Sequence, residues 1–441
     1  MAVPSPGAGV KAIDQMLAER ASGEPIRVGM VGAGAAGRAI ALQLVASVPG
    51  IRLVAIANRT LANARRAFAE AGRTTVEVSS ADQLDREIAR GRDAVTTDAA
   101  VLSGSTKLDA IVEATGTVEY AAHVVTGALD QRKHVVLVNA ELDATVGPVL
   151  ARRAAERGVV LTNTDGDEPG VAMTLLRYLR SIGLQPVAAG NLKGLVDHYR
   201  TPETQRGFAE RYGQNPQKAA SFADATKLSM EATILANATG FRVGQRGMYG
   251  PACEDVQQIA QRLPAEEMLA GGLVDYALGA APHTGAFVIV HEPHPAKQRL
   301  LAYGKMGDGP FYVFHTPFHV PHVQIAATIA RAVLAHDATV CPLDGPVCET
   351  VAIAKRHLRA GELLDGVGGF CAYGLVDNAA AAGAADALPM GVAEGCRLLR
   401  DIPRDQPICY SDIELPADRL IDELRREQQL VHLTSPSARV S

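Results

Sequence analysis

The stretch Ile26–Val45, IRVGMVGAGAAGRAIALQLV, passes from an apolar strand through a glycine turn into an Ala-rich helix. Gly32, Gly34 and Gly37 spell Gly-x-Gly-x-x-Gly at that turn, the pattern that opens a dinucleotide-binding βαβ unit. Gly32 permits the tight turn. Gly34 lets the backbone approach a pyrophosphate, and Gly37 lets helix and strand pack closely. Ala35 and Ala36 begin the helix, whose free N–H groups and positive end suit phosphate. A turn with no ligand is the alternative, and the strand-to-helix context speaks against it.

The next strand, LVAIANRT (Leu53–Thr60), lacks the Asp or Glu that usually binds both ribose hydroxyls of NAD. Asn58, Arg59 and Thr60 stand there instead. A guanidinium pairs with a 2′-phosphate that a carboxylate would repel, so NADP(H) is the expected cofactor. A solvated surface arginine is the alternative for Arg59.

Working outward, short apolar runs alternate with helical stretches from Ile26 to Asn163. Helices are predicted at Ala12–Ala21, Leu61–Gly72, Val118–Leu129 and Gly147–Arg157. Strands are predicted around TTVEVS, LDAIVEATG, HVVLVNAE and GVVLTNTDGDEP. This is the alternation of an α/β, doubly wound Rossmann sheet. Glu113–Thr117 is taken to end its fourth strand and Asn139–Glu141 its fifth. Thr115, Gly116 and Asn139 are expected cofactor contacts, with Glu141 bordering the substrate.

Three domains are predicted: residues 1–163 for the N-terminal helix and nucleotide domain, 164–343 for an α+β substrate and dimerisation domain, and 344–441 for a small β-rich unit. The last includes a low-complexity loop, NAAAAGAADA, a helix over Asp418–Gln428 and a polar tail expected to fray.

Composition excludes several classes. The 441 residues carry a net charge of −5, which gives no reason to expect nucleic acid or anionic membrane. Six cysteines lie far apart with no Cys-x-x-Cys pair, so zinc ribbons and dithiol redox chemistry are not indicated. No apolar run reaches the length of a membrane span, and the first residues lack a secretion signal. A cytoplasmic homodimer or higher homo-oligomer acting on a small molecule is expected.

The middle region holds the polar residues that could do chemistry. Asp167 and Glu168 in GDEPGV could cap the following helix, or with Asp165 just before it bind a divalent cation; ordinary capping is the simpler expectation. GNLKGLVDHYR ends an apolar strand, with Asn191 as a substrate contact and Lys193 as the residue that polarises a carbonyl, followed by Asp197. In FADATKLSMEATILANATGFR, Lys227 and Glu231 are four apart and could form an exposed ion pair, or with Asn237 line a site. Arg242 could hold a substrate phosphate or carboxylate. In KMGDGPFYVFHTPFHVPHV, Pro317 and Pro321 prevent a helical metal triad of His315, His319 and His322. Lys305, His319 and His322 are expected on the substrate wall, and His315 as a general acid.

The segments DGDEPGVAMTLLRYLRSIGLQPVAAGNLKGLVDHYR (from Asp165) and LDGVGGFCAYGLVDN through ICYSDIEL (Leu364–Leu415) resemble the homoserine-dehydrogenase-like oxidoreductases with a C-terminal SAF domain. That resemblance covers nearly the whole chain from Ile26 to Leu415. The best-understood enzymes of this family are deoxyxylulose-phosphate-reductoisomerase-like. The resemblance thus implies NADPH, a divalent metal such as Mg²⁺ or Mn²⁺, and a role in isoprenoid biosynthesis. The chain departs from true homoserine dehydrogenases, whose Asn-Lys after the fifth strand is replaced by Asn139-Ala140-Glu141. Other readings are a simple alcohol or semialdehyde dehydrogenase and a non-catalytic NADP(H) sensor or scaffold.

Overall fold

The computed structural model describes residues 12–434. The first eleven residues and the end of the polar tail lie outside the described residues.

Helix α1 (Ile13–Ser22) leads into the first half. Its strands are β1 (Ile26–Val31), β2 (Ile51–Ala57), β3 (Thr75–Glu77), β4 (Asp93–Thr96), β5 (Ala110–Glu113), β6 (His134–Leu137) and β7 (Leu161–Asn163). Between them run α2 (Ala35–Ala46), α3 (Leu61–Glu70), α4 (Ala81–Ala89), α5 (Ala99–Ser103), α6 (Glu119–Asp130) and α7 (Ala140–Glu156). The sheet is parallel throughout, in the order β3-β4-β2-β1-β5-β6-β7. This is the expected doubly wound architecture, with the order reversing beside β1 and β5. One strand was not anticipated: β4, a four-residue DAVT with no apolar run around it, enters between β3 and β2. Glu113 therefore ends the fifth strand and Asn139 follows the sixth.

After α8 (Glu168–Ser181), strand β8 (Gln185–Lys193) enters a second sheet. Helices α9 (Arg206–Tyr212), α10 (Pro216–Ala223), α11 (Thr226–Thr239), α12 (Ile259–Arg262) and α13 (Ala265–Leu269) follow. Strands β9 (Leu273–Leu278), β10 (Ala286–His291) and β11 (Phe311–Thr316) complete a sheet of order β11-β10-β8-β9, with α14 (Pro295–Tyr303) between the last two. Its inner face rests on α8 and α11. Val256, Ile259, Leu263 and Met268 cover the outer face against Phe287 and Ile289.

Helix α15 (Pro321–Ala335) returns to the first half. Ile325, Ala326 and Ile329 join the core formed by Met30, Ile40 and Leu44. The segment 164–343 thus contains two packing units. The C-terminal unit holds β12 (Cys348–Ala354) paired antiparallel with β13 (Ala372–Asn378), and β14 (Arg397–Leu398) paired with β15 (Ile413–Glu414). The alanine-rich stretch read as a loop forms α16 (Ala379–Ala384). Helix α17 (Leu420–Thr434) starts two residues later than expected, runs longer, and lies on α7 and α6. Among the described residues no helix is long and apolar enough to cross a membrane.

Helix α7 starts at Ala140, not Gly147, because Asn139 caps it through a bond from Leu142 N–H at 3.0 Å. It bends at Val146 (φ −139°), just before Pro148. The bend separates Val149 N–H from Thr145 C=O, which a regular helix would join. Gln428 of α17 fills the gap, accepting from Val149 N at 3.2 Å and donating to the Thr145 carbonyl at 3.5 Å. Arg425 donates to the same carbonyl at 3.0 Å. Gln428→Leu leaves a buried N–H unpaired, so a loss of about 1–3 kcal/mol is expected, read as a lower urea midpoint at unchanged slope. An unchanged midpoint would contradict this account of the bend.

Candidate active site

The glycine turn is built as its spacing requires. Gly32 has φ +104°, and a Cβ there would stand 2.7 Å from the Ala114 carbonyl. A Cβ on Gly37 would collide with the Gly32 carbonyl, whereas one on Gly34 would meet open space where a phosphate can approach. Asn58 braces the turn: its Oδ1 accepts from Ala33 N at 3.0 Å and its Nδ2 donates to the Thr60 carbonyl at 2.8 Å. Arg59 and Thr60 are exposed beyond the end of β2.

The carboxyl ends of β5 and β6 are tied by Asn139, whose Nδ2 donates to Glu113 at 2.7 Å and to the Thr117 carbonyl at 2.8 Å. With Leu142 on its Oδ1, that amide is fully engaged and buried. Asn139 therefore shapes the crevice wall, with both its amide N–H donors spent on Glu113 and Thr117. Thr115 N–H also donates to Glu113, at 2.9 Å. Burial pushes the Glu113 carboxyl up from its ordinary value, against the opposing pull of Thr115, Asn139 and Lys218.

Beside this crevice, three separate elements bring five charged groups together. Lys193, at the end of β8, donates to Glu168 at 2.8 Å and lies 3.4 Å from Glu231. Lys227 on α11 pairs with Asp167 at 2.8 Å and with Glu231 at 2.9 Å. Asn191 donates to Glu231 at 2.7 Å. His319 Nε2 stands 3.5 Å from Glu168 while its Nδ1 meets the Thr284 hydroxyl at 2.9 Å. Burial alone would lower both lysines. The carboxylates outweigh it, so Lys193 and Lys227 are held above the ordinary lysine value, Glu141 adding to the field on Lys227. Burial would likewise raise Glu168, but Lys193 and His319 hold it below the ordinary glutamate value.

Two simple expectations fail here. Asp167 occupies the N-cap position of α8 yet makes no capping bond, because its carboxylate is turned to Lys227. The Lys227–Glu231 pair is buried, not exposed. Asp165 leaves the acidic group altogether: its carboxylate faces Arg331 at 3.3 Å. The acids whose oxygens converge within 4.8 Å of one another are Asp167, Glu168 and Glu231.

Other expected site residues are placed elsewhere. His315 pairs with Phe287 on β10, and strand alternation puts it on the outer face of the sheet, opposite Asn191 and Lys193. Asp197 is spent within its own turn, accepting from Tyr199 N at 3.1 Å and Arg200 Nε at 2.9 Å. Asn237 accepts from Val347 N at 2.7 Å and Cys348 N at 3.1 Å, fixing the start of β12. Arg242 is exposed and bridges Leu273, which pairs with Ala188 well back along β8. Lys305 lies in the exposed turn before β11, at the other end of the sheet from Lys193. His322 is half-buried in the first turn of α15, and Val320 and Pro321 just before it lie against Gly166.

One cation was not anticipated. Lys218 of α10 reaches across to donate to the Thr115 carbonyl at 3.1 Å. A single lysine in PQKAASFA carries no sequence signal for such a reach.

With this geometry in place, known families bear on it. Residues 32–162 match the family model of the homoserine dehydrogenase NAD-binding domain. Residues 166–325 match that of the catalytic domain of the oxidoreductase DRL, a span that contains Asp167, Glu168, Asn191, Lys193, Lys227, Glu231 and His319. The chain is an NAD(P)-dependent oxidoreductase. No curated protein matches it in sequence.

Solved structures of similar architecture include a homoserine dehydrogenase from Thiobacillus denitrificans, 17% identical, covering 71% of this chain and 74% of that one (TM-score 0.40). A putative myo-inositol dehydrogenase from Sinorhizobium meliloti 1021 is 11% identical and covers 70% of this chain and 87% of that one (TM-score 0.38). Likeness at this level says nothing of the substrate.

Lys227→Met leaves the buried Asp167 without its ion-pair partner, while Glu231 keeps Lys193 and Asn191, so a loss of about 3–5 kcal/mol is expected in urea unfolding. Glu231→Gln should lose less, because Lys193 keeps Glu168 and Lys227 keeps Asp167. Lysines raised in the fold contribute stability below their unfolded value, and a lowered glutamate does so above its own. The Lys227→Met penalty should therefore stay level from about pH 6 to 9. A penalty that vanishes within that window contradicts the pairing.

Proposed function

We propose that the protein is an NADPH-dependent reductase of a small polyhydroxy or phosphorylated carbonyl compound. In its most specific form it is a reductoisomerase-like enzyme, which rearranges the carbon skeleton of a hydroxy-ketone such as 1-deoxy-D-xylulose 5-phosphate before reduction. The observation that carries the reading is Lys193, an ammonium kept charged by Glu168 and Glu231 beside the carboxyl ends of β6 and β7. An alkoxide forming at a reduced carbonyl needs such a donor, already oriented and partly shielded from water. The exposed Arg59 and Thr60 after β2, with no carboxylate beside them, support NADPH over NADH.

The acidic group suits a hard divalent cation such as Mg²⁺ or Mn²⁺. Its donors are all oxygen, and three carboxylates against two ammoniums leave one net negative charge, to which Glu141 adds another. Asp167, Glu168 and Glu231 would hold the ion. When bound, the reduced nicotinamide supplies a hydride and the cation supplies Lewis acidity. Lys193 donates to the oxygen on which charge develops. Lys227 keeps Asp167 and Glu231 in place. His319, steadied by Thr284, carries a proton at Nε2 between that oxygen and solvent. The C-terminal unit is read as a SAF-type scaffold, and the assembly as a cytoplasmic homo-oligomer.

A second reading, reduction of an alcohol-level or semialdehyde substrate without rearrangement or metal, draws on one observation. Each of the three carboxylates already has an ammonium partner.

Incubation with NADPH, Mg²⁺ and 1-deoxy-D-xylulose 5-phosphate should consume NADPH, and EDTA should stop it. NADPH left intact removes the reductoisomerase form, and activity indifferent to EDTA favours the second reading. Lys193→Ala should lower kcat/KM by roughly 10²–10³-fold. Arg59→Ala should raise the KM for NADPH about tenfold and leave that for NADH unchanged, since one charge-assisted contact to the 2′-phosphate is lost. An equal effect on both cofactors would contradict the NADPH assignment.

A further inference from the structure

Lys218 lies outside the five-charge group yet stands in the cofactor crevice. Its Nζ donates to the Thr115 carbonyl at 3.1 Å and lies so close over Gly116 (φ +63°) that a Cβ there would collide with it. Thr115 N is in turn about as close to the phosphate-binding turn as packing allows, 3.0 Å from where a Cβ on Gly32 would sit. An ammonium carries three N–H donors, and the bond to Thr115 engages one. Lys218 is half-buried, and Glu113, the carboxylate beneath it, is turned to Thr115 and Asn139. A positive charge with donors to spare thus stands over the carboxyl end of β5, where the nicotinamide half of a dinucleotide lies in this architecture.

The support for Lys218 comes from the far end of the chain. Asn215 caps α10, accepting from Gln217 N at 2.8 Å and Lys218 N at 3.3 Å. The Gln217 side chain donates to the carbonyls of Asp365 and Val367, both at 3.0 Å. Gly368 (φ +70°) abuts the Gln217 carbonyl with no room for a Cβ. Asp365 stiffens that loop by accepting from Phe370 N at 2.6 Å and Cys371 N at 3.0 Å.

We propose that Lys218 binds the nicotinamide-side ribose and phosphate of the cofactor, and that the Asp365–Cys371 loop of the C-terminal unit positions it through Gln217. The C-terminal unit is then part of the cofactor site. The proposal rests on the NADPH reading above but not on any carbonyl substrate.

Its test is NADPH binding to the full-length protein without substrate, followed by fluorescence titration. Lys218→Met, which keeps the aliphatic stem, should raise the Kd for NADPH about tenfold, the loss of one charge-assisted contact. Lys218→Arg should recover most of it. Adenosine 2′,5′-bisphosphate, which reaches only the adenine half, should bind Lys218→Met as it binds the wild type. Gln217→Ala leaves Lys218 in place but removes its support, and should weaken NADPH severalfold. Wild-type NADPH affinity in Lys218→Met overturns the proposal, as does equal weakening of NADPH and the bisphosphate. Normal binding by Gln217→Ala overturns the role of the C-terminal unit. A wild-type protein that binds no NADPH at all sinks the cofactor reading and this proposal with it, an outcome distinct from the others.

Discussion

Two lysines and three carboxylates share one buried space where α8 begins, β8 ends and α11 completes its first turn. Removing charges from water costs several kcal/mol each, and attraction repays it only where partners meet at hydrogen-bond distance. The group therefore constrains the substrate sheet, α8 and α11 to one mutual placement. It also explains why Asp167 gives up the capping bond that its position invites. Moved a few ångströms, any of the three elements would leave an unpaired charge in the interior.

The same arrangement links the two halves of the molecule. Glu168 follows β7 of the nucleotide sheet by a few residues, while Lys193 ends a strand of the second sheet. Their bond brings the Lys193 ammonium to the carboxyl ends of the parallel strands, where this class of sheet binds its ligands. Helix α7 supports the arrangement from below. Its first turn carries Glu141 toward Lys227, and its bend is closed by Gln428 and Arg425 from the last helix of the chain. Asn237, on the helix that carries Lys227 and Glu231, fixes the C-terminal unit through two backbone bonds. Positions read as substrate contacts thus include one whose work is to join domains.

How much was legible followed from the range of the interaction. The glycine turn depends on local conformation, so Gly32, Gly34 and Gly37 could be assigned from spacing, as could the alternation that makes a parallel sheet. The placement of Lys193 at the end of an apolar strand was also legible, and it closes β8, an inner strand of the second sheet. β4 was not, because four residues without flanking apolar runs leave no periodic signal. The start of α7 was missed because Gly147 and Pro148 resemble a helix start, while Asn139 caps the helix a full turn and more earlier.

By itself the sequence determined the doubly wound nucleotide half, a dinucleotide turn and the residue types available for chemistry, all of which rest on contacts within a few residues. Only the tertiary structure decided which charges meet. Glu231 replaces Asp165 beside Asp167 and Glu168 because α11 folds back across α8, and Asp165 finds Arg331 on a helix that returns from far along the chain. His315, Arg242 and Lys305 were sorted out of the site by strand parity and by position along the sheet. Those outcomes depend on register and packing between segments distant in sequence, and neither spacing nor composition encodes them locally.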